Sequence, residues 1–239
     1  MIDSQSVLCI IPARGGSERV PGKNIMPLCG RPMLAYTIVH ALAAECADEV
    51  VVSTEDAAIA RVARDYGAVV VDRPPALASN EMATEPVLVD VLEQRAAAGQ
   101  AAPDIVVLLQ ATSPARKRDE VDRAVRTLLD EGADSLFSAA STKYHSWNLE
   151  DGVLRAVSYN VDKRLREQDM APQFTENGSI FVFRTDVLDR HGNRLGGKIA
   201  VHEMDMWSSF QVDTPEDVEL IQWVLGHHEY QPDWPSEDD

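Results

Sequence analysis

The sequence predicts an α/β fold with a mainly parallel sheet and a small antiparallel insertion. Short apolar runs of strand length alternate with stretches that carry apolar residues at helical spacing, and the links between them are short. Residues 141–174 break this alternation with a polar and aromatic stretch that has a hairpin-like turn at Gly152. The chain has 239 residues, of which 45% are hydrophobic. This is enough for one domain with a sizeable core.

The first part of the chain alternates strands and helices. The first five predicted elements are strand 7–11, helix 32–46, strand 49–54, helix 56–66 and strand 68–72. The opening strand is a continuous apolar run (VLCII), which indicates burial on both faces. Pro32 suits a helix start, and Gly67 suits a helix C-cap. Strands joined in this way form a parallel sheet that binds ligands at the carboxyl ends of its strands.

The second part continues the pattern on both sides of the insertion. The next predicted elements are an irregular loop at 73–80, helix 85–98, strand 105–109, helix 119–131, strand 135–139, strand 179–183 and a last helix that opens at 213–217. Strand 105–109 is the most apolar, so we expect it near the centre of the sheet. The domains that we predict are an α/β domain from residues 1–140 and 175–228, an insertion at 141–174 and a loose acidic tail at 229–239.

Charge and cysteine content argue against several classes of protein. The formal net charge of −17 argues against non-specific binding to nucleic acid or to an anionic membrane. The three cysteines lack metal-ligand spacing, and so sparse a count fits a reduced cytosol. We find neither a signal peptide pattern nor an apolar run long enough to cross a bilayer. We therefore expect a cytoplasmic protein.

The loop that follows the first strand is the strongest candidate for a binding site. Arg14, Arg19 and Lys23 place three cations close together in an acidic chain. Gly15 and Gly16 allow backbone N–H groups to approach a phosphate closely, and arginine binds phosphate through paired hydrogen bonds. These features indicate a site for a nucleoside triphosphate.

Two common phosphate loops do not match this segment. A Walker A loop has four residues between its Gly and its Gly-Lys pair, followed by Ser or Thr. Here five residues separate Gly16 from Gly22, and Asn24 follows the lysine. The dinucleotide fingerprint G-x-G-x-x-G is absent from the loop.

Five ordered segments resemble the acylneuraminate cytidylyltransferases, which make CMP-sialic acids and related CMP-activated keto-sugar acids. The segments are IPARGGS (11–17) with PGKN (21–24), RP (73–74) with LA (77–78), LQATSP (109–114), ENGSIF (176–181) and VDTPED (212–217). The similarity extends from about Val7 to about Leu225. It implies a Rossmann-like nucleotidyltransferase fold with three layers and a dimer formed through the insertion. It also implies a reaction of CTP with a 2-keto-3-deoxy sugar acid that releases pyrophosphate and uses Mg²⁺.

The resemblance also implies roles for individual residues. Arg14, Lys23 and Asp213 are the expected catalytic residues, and Asp213 and Gln211 are the expected metal ligands. The expected nucleotide site consists of Ala13, Arg14, Gly15, Gly16, Ser17, Arg19, Lys23, Asn24, Arg73 and Thr84. The expected sugar-acid site consists of Gln110, Thr112, Ser113, Arg116, Arg166 and Asn177.

Two positions depart from the family pattern. Gln211 stands where the family has the first Asp of its D-x-D segment, and Glu167 stands where it often has an arginine near the sugar site. These departures leave two alternatives open. The acceptor could be an eight-carbon keto acid or a phosphonate, or the protein could be a catalytically silent nucleotide-binding module.

Simpler structural roles also stay open for several of these residues. Gln110 could be a polar residue at a strand end, and Asn177 with Gly178 a turn. Asp213 could act as a helix N-cap alone, and Arg116 could belong to a solvated helix start.

Overall fold

The computed structural model describes residues 2 and 4–234. Its strands are β1 (Val7–Pro12), β2 (Pro27–Leu28), β3 (Arg31–Pro32), β4 (Glu49–Thr54), β5 (Val69–Asp72), β6 (Ile105–Leu109), β7 (Ser135–Ser141), β8 (Trp147–Glu150), β9 (Val153–Ala156), β10 (Phe174–Arg184) and β11 (Ile199–Met204). Its α-helices are α1 (Met33–Leu42), α2 (Ala57–Asp65), α3 (Thr84–Ala97), α4 (Glu120–Asp130), α5 (Asp186–His191) and α6 (Pro215–Leu225).

Seven strands form one central sheet in the order β11-β7-β10-β6-β1-β4-β5. The pairs β1–β4, β1–β6, β4–β5 and β7–β11 are parallel, whereas β10 is antiparallel to both β6 and β7. The predicted α/β class with a mainly parallel sheet is therefore confirmed. Strand β6 lies in the middle of the sheet, as its apolar sequence predicts.

Helices cover both faces of the sheet, which explains the continuous apolar run of β1. Val7, Cys9 and Ile11 belong to a core cluster with side chains of α1, α2 and α4. Leu8 and Ile10 point to the opposite face, where side chains of α3 and α5 cover them. Each fully buried Leu or Ile side chain contributes about 2 kcal/mol to stability. A run without polar positions is thus what a doubly covered strand requires.

Strand β10 has an irregularity that matters for the site. Its register with β7 shifts between Glu176 and Phe181, and Gly178 there has a φ of +65°. The strand begins at Phe174, five residues before the predicted start. The β-bulge turns the chain near the carboxyl end of β6, since Ile180 pairs with Leu109.

The insertion contains the expected antiparallel hairpin. Strands β8 and β9 pair with each other, and Trp147 lies opposite Ala156. Leu149 and Leu154 form another cross-strand pair, and their side chains are 69% and 63% exposed. The hairpin therefore presents apolar side chains on the surface of the single chain.

The predicted loose tail is wrong for the part that the structure describes. Tyr230 is buried in a third core cluster with residues of α6, and its hydroxyl donates to Asp205 Oδ2 at 3.2 Å. The Trp234 ring meets Tyr36 edge-on at a centroid distance of 4.7 Å. These aromatic side chains bring the segment back onto the core despite its acidic neighbours. Residues 235–239 of the tail lie outside the described residues.

No helix in the described part of the chain combines the length and apolar character that a bilayer crossing requires.

Candidate functional site

A cleft of about 240 Å³ opens where β1 and β6 end. Several of the predicted site residues line it: Arg14, Ser17, Lys23, Asn24, Arg73, Thr84, Gln110 and Thr112. A second cavity of about 360 Å³ lies beside it and shares Arg14, Ser17 and Lys23. Arg19 and Asp213 line this second cavity. The structure thus brings the loop after β1 together with residues from distant parts of the chain, at the edge where parallel sheets bind ligands.

The loop after β1 is closed by contacts between its two ends. Asn24 is nearly buried, and its Nδ2 donates to the Arg14 carbonyl at 2.9 Å. Gly22 has a left-handed φ of +66° and begins the single 3-10 turn that carries Lys23. At the start of the loop, buried Ala13 donates its N–H to the Ser53 carbonyl at 3.0 Å. The loop is therefore anchored at both ends while Arg14 and Lys23 face the cavity.

The two adjacent glycines have different surroundings. The Gly15 N–H donates to Glu55 Oε1 at 2.7 Å, and a Cβ on Gly15 would lie 2.6 Å from Asp56 Oδ2. Asp56 is held there because it caps α2 through the N–H groups of Ala58 and Ile59. Gly15 is thus required by packing against the start of α2, and its N–H already has a carboxylate partner. For Gly16, no described heavy atom lies within 4 Å of an added Cβ, which leaves its backbone open to a ligand.

Lys23 pairs with Asp213 at the mouth of the second cavity. Lys23 Nζ lies 3.0 Å from Asp213 Oδ1, and the lysine side chain is far more buried than the aspartate, at 14% against 49% exposed. Thr214 is the N-cap of α6, and Asp217 completes a capping box. Burial raises the pKa of Asp217, but hydrogen bonds from the backbone of Asp213 and Thr214 outweigh it and hold that pKa below its usual value. Asp217 thus serves the helix, and Asp213 is left at the cavity.

Arg73 forms a buried part of the cleft wall. Its Nη2 donates to the Ser53 carbonyl at 2.7 Å and its Nε to Ser53 Oγ at 3.2 Å. Burial lowers the pKa of Arg73, and the Glu55 carboxylate opposes this shift. Thr84 is the first residue of α3 and lines the same cleft.

The segment between β5 and α3 supplies residues that sequence reasoning missed. Ser79, Asn80, Met82 and Ala83 line the cleft, next to Leu77 of the segment that carries the resemblance. The Asn80 side chain accepts a hydrogen bond from Arg14 and donates one to Glu18. The sequence places Asn80 in an irregular loop, and this was the only indication of a role in binding. The fold then shows that this loop contacts the basic loop after β1.

The predicted sugar-acid residues divide into three groups. Gln110 and Thr112 line the cleft, whereas Ser113, Arg116 and Asn177 are buried in the interior. Arg166 is an exposed residue in the segment after the hairpin, where its Nε lies 2.7 Å from Asp169 Oδ2.

Arg116 requires a correction, because its side chain has no exposed surface. Its Nη2 donates to the carbonyls of Gln110 and Ser179, each at 2.8 Å, and its Nη1 donates to Thr37 Oγ1 at 2.9 Å. Burial lowers its pKa, and the Glu120 carboxylate opposes this shift. This placement fits neither direct contact with a sugar acid nor a solvated helix start. Arg116 instead joins the end of β6 to β10 and α1.

Asn177 is likewise committed to structural hydrogen bonds. Its Oδ1 accepts from Ser138 Oγ at 2.6 Å and from the Ser179 N–H at 3.1 Å. Its backbone carbonyl accepts from Nε2 of Gln211. The expected contact between the Asn177 side chain and a sugar acid does not fit this geometry. Asn177 and Gly178 lie at the β-bulge within β10 and do not form a turn that precedes the strand.

The described residues contain no group of three or more His, Cys, Asp or Glu side chains placed to share a metal ion. Mg²⁺ fits the cavity in another way, because it binds proteins through one or two carboxylates and takes its remaining ligands from phosphates and water. Asp213 is a half-exposed carboxylate beside Arg14, Arg19 and Lys23, so it fits such a site. Gln211 fits less well, because it is not among the residues that line the two cavities and its carboxamide is bonded to the Asn177 carbonyl.

Comparisons with known proteins agree with this geometry. The family model described as cytidylyltransferase matches residues 8–231. The CMP-N,N'-diacetyllegionaminic acid synthase of Legionella pneumophila is 45% identical over 188 residues, which cover 74% of this chain and 77% of that protein. The N-acylneuraminate cytidylyltransferase of Streptococcus agalactiae serotype III is 29% identical over 225 residues, which cover 92% of this chain and 52% of that protein. The chain thus spans about half the length of this second relative.

A solved structure shows the same fold. It is titled as CMP:2-keto-3-deoxy-manno-octonic acid synthetase complexed with CTP, and it superposes with a TM-score of 0.70 at 18% sequence identity. The superposition covers 92% of this chain and 98% of that one. Because the family match extends over nearly the whole chain and includes the cleft, the identification does not depend on one motif. The chain belongs to the cytidylyltransferase family.

Proposed function

We propose that this protein transfers CMP from CTP to the anomeric hydroxyl of a sialic-acid-like 2-keto-3-deoxy nonulosonic acid and releases pyrophosphate. The observation that carries the proposal is the cavity at the end of β1. There Arg14, Arg19 and Lys23 converge with Asp213 in a chain whose net charge is −17. Such a local reversal of charge suits a triphosphate and its metal ion. The 45% identity to a CMP-N,N'-diacetyllegionaminic acid synthase favours a nonulosonic acid as acceptor.

The nucleotide end of the cleft offers groups for each part of CTP. Arg14 and Lys23 line both cavities and would bind the phosphates, with Ser17 and Arg19 near the leaving pyrophosphate. The open backbone at Gly16 allows a phosphate to approach closely. Arg73 and Thr84 would face the cytosine or the ribose. Leu77, Met82 and Ala83 add apolar surface on which a base could pack.

The reaction is a displacement at phosphorus. The anomeric oxygen of the acid forms a bond to the α-phosphorus, the bond from that phosphorus to the oxygen bridging the α- and β-phosphates breaks, and pyrophosphate leaves. The hydroxyl proton passes to the solvent. Positioning and charge neutralisation supply most of the catalysis in such reactions. Arg14, Arg19 and Lys23 are placed to stabilise the charge that develops on the leaving group.

We propose Mg²⁺ as the cofactor, held by Asp213 together with phosphate oxygens. When bound, the ion would neutralise phosphate charge and polarise the bond that breaks. Lys23 would then exchange its ion pair with Asp213 for a phosphate, because both groups share the same cavity.

We also propose that the protein is a cytoplasmic homodimer that pairs through residues 141–174. The register places the side chains of Trp147, Leu149 and Leu154 on one face of the hairpin, and they are 46%, 69% and 63% exposed. An isolated two-stranded hairpin is marginal in water, and exposed apolar side chains on one face indicate a partner. Sedimentation at micromolar concentration should show a dimer that becomes a monomer in Leu149→Lys with Leu154→Lys. A monomeric parent protein would contradict this.

The experiment that tests the function is a panel of acceptors with pyrophosphate release as the readout. It uses CTP, Mg²⁺ and, in separate reactions, N,N'-diacetyllegionaminic acid, N-acetylneuraminic acid, an eight-carbon keto acid and a phosphonate. Release with a nine-carbon acid supports the proposal. Release with the eight-carbon acid or the phosphonate alone would replace the acceptor class, and tight CTP binding without any release would favour a silent module.

A further inference from the structure

We propose that Gln211 is a positioning residue for the acceptor end of the cleft and is not a metal ligand. It would hold Asn177 and Gly178 against Gln110, which lines the cleft. These two residues form the turn that the β-bulge makes within β10. This inference rests on the proposed cytidylyltransfer to a sugar acid. It gives a role to a residue that the resemblance implies as a metal ligand.

The contact geometry places two carboxamides around one glycine. Gln211 Nε2 donates to the Asn177 carbonyl. A Cβ added to Gly178 would lie 2.3 Å from Gln211 Nε2 and 3.1 Å from Gln110 Oε1. Gly178 has a φ of +65°, so both its backbone conformation and its crowding require glycine. The side chains of Gln211 and Gln110 thus both lie next to Gly178, and Gln110 also lines the cleft.

The orientation of the Gln211 amide follows from its partner. A carbonyl accepts hydrogen bonds, so the NH₂ group and not the side-chain oxygen must face Asn177. A carboxylate has no proton to donate and would place a charged acceptor against a carbonyl. An aspartate at 211 would therefore leave the Asn177 carbonyl without this donor, and it is also one methylene shorter. Glutamine is the residue type that this turn requires.

The rest of the turn is held independently of Gln211. The buried Asn177 side chain bonds with Ser138 and with the Ser179 N–H. Arg116 holds the carbonyls of Gln110 and Ser179. Removal of the Gln211 donor should therefore shift the turn and the Gln110 side chain locally and leave the fold in place.

Gln211 also connects the two ends of the cleft. The next residue, Val212, donates its N–H to the carbonyl of Thr112 at 2.8 Å, and Thr112 lines the cleft. Asp213 follows and pairs with Lys23 at the triphosphate end. Gln211, Val212 and Asp213 thus contact Asn177, Thr112 and Lys23, in that order along the chain.

The test compares Gln211→Met with Gln211→Glu. Methionine keeps the length and removes both polar atoms, whereas glutamate keeps the shape, replaces the donor by an acceptor and adds a negative charge. For both variants we expect the KM for the keto acid to rise about tenfold or more, since a buried acceptor loses its donor, while the KM for CTP stays within about twofold. Thermal unfolding of each variant controls for loss of fold.

The second readout is metal binding without turnover. Mn²⁺ is titrated by calorimetry into the protein with CTP, and Asp213→Asn serves as the control that should lose affinity. We expect Gln211→Met to bind Mn²⁺ within about twofold of the parent protein, because the Gln211 side chain bonds to the Asn177 carbonyl, whereas the Asp213 carboxylate pairs with Lys23. A marked loss of Mn²⁺ affinity in Gln211→Met would overturn the inference, as would an unchanged KM for the keto acid.

Failure of the proposed function would look different. The parent protein would then release no pyrophosphate with any acid. The Mn²⁺ titration and the backbone NMR shifts of residues 177–179 in Gln211→Met would still decide the inference. Shifts confined to this turn and to Gln110, with Mn²⁺ affinity retained, support it, and unperturbed shifts contradict it.

Discussion

Lys23 Nζ and Asp213 Oδ1 lie 3.0 Å apart, although the two residues are separated by 190 positions in the sequence. The pair joins the basic loop after β1 to the residue that precedes the N-cap of α6. In the proposed reaction a phosphate would replace the carboxylate as the partner of this largely buried lysine, and the carboxylate would then be free to hold a metal ion.

Replacement of Asp213 tests the metal role. In Asp213→Asn we expect pyrophosphate release to fall by about 10²–10³-fold, because the charge that would hold Mg²⁺ is lost. CTP binding measured without metal should not weaken, since a negative charge near the triphosphate has been removed. The matched control is Glu216→Gln, which removes an exposed carboxylate in the first turn of the same helix. Equal losses in both variants would contradict the assignment.

The two glycines of the loop should respond differently to alanine. Gly15→Ala should lower the free energy of unfolding by about 1–3 kcal/mol, because the new methyl group would lie 2.6 Å from Asp56 Oδ2. Gly16→Ala should change it by less than about 0.5 kcal/mol, since no described atom lies within 4 Å of the added carbon. Urea unfolding of both variants measures this. A larger loss for Gly16→Ala would show that the loop is packed differently.

Glu18, which lines the second cavity as Asp213 does, should weaken CTP binding. Glu18 lines the cavity together with Arg14 and Arg19. In Glu18→Gln we expect CTP to bind about threefold to tenfold more tightly at low salt, because one repulsive charge is removed. Glu93→Gln is the control, since Glu93 lines a separate cavity beside α3. Weaker binding in Glu18→Gln would show that Glu18 contributes to the site.

Buried His40 should make stability depend on acid pH. Burial, and then the nearby Arg116 guanidinium, lower the pKa of His40 to about 3. Between about pH 6.5 and pH 3 the unfolded chain therefore binds a proton at this position that the folded chain does not, so stability falls as the pH falls. The slope is at most about 1.4 kcal/mol per pH unit. Urea unfolding at pH 7 and pH 4.5 should show a smaller loss in His40→Gln than in the parent protein, and equal losses would contradict this.

The fold was largely predictable because the inner strands of the central sheet are buried on both faces. β1, β4 and β6 are continuous apolar runs, and glycine, proline and capping residues mark the neighbouring helices. Strand β11 was missed because it is an edge strand whose residues alternate between exposed and buried positions. Its sequence IAVHEM contains His and Glu, so it lacks the continuous apolar run that predicts the inner strands. Helix α5 was missed as well, because its six residues are too few to show a helical period.

The nucleotide end of the site was more predictable than the acceptor end. Arg14 and Lys23 come from one continuous loop whose composition is unusual for so acidic a chain. Arg116 was misplaced because the three groups that accept its hydrogen bonds come from Thr37, Gln110 and Ser179, which only the folded chain brings together. A sequence cannot easily distinguish a cation at the surface from one buried among backbone carbonyls.

The most direct test of the whole account is pyrophosphate release from CTP with N,N'-diacetyllegionaminic acid and Mg²⁺, measured beside Lys23→Met. The account predicts release that requires both substrates and the metal, and that falls by about 10²-fold or more in Lys23→Met, because a charge contact to the phosphates is lost. Release that is unaffected by the loss of Lys23 would contradict the placement of the triphosphate in this cavity.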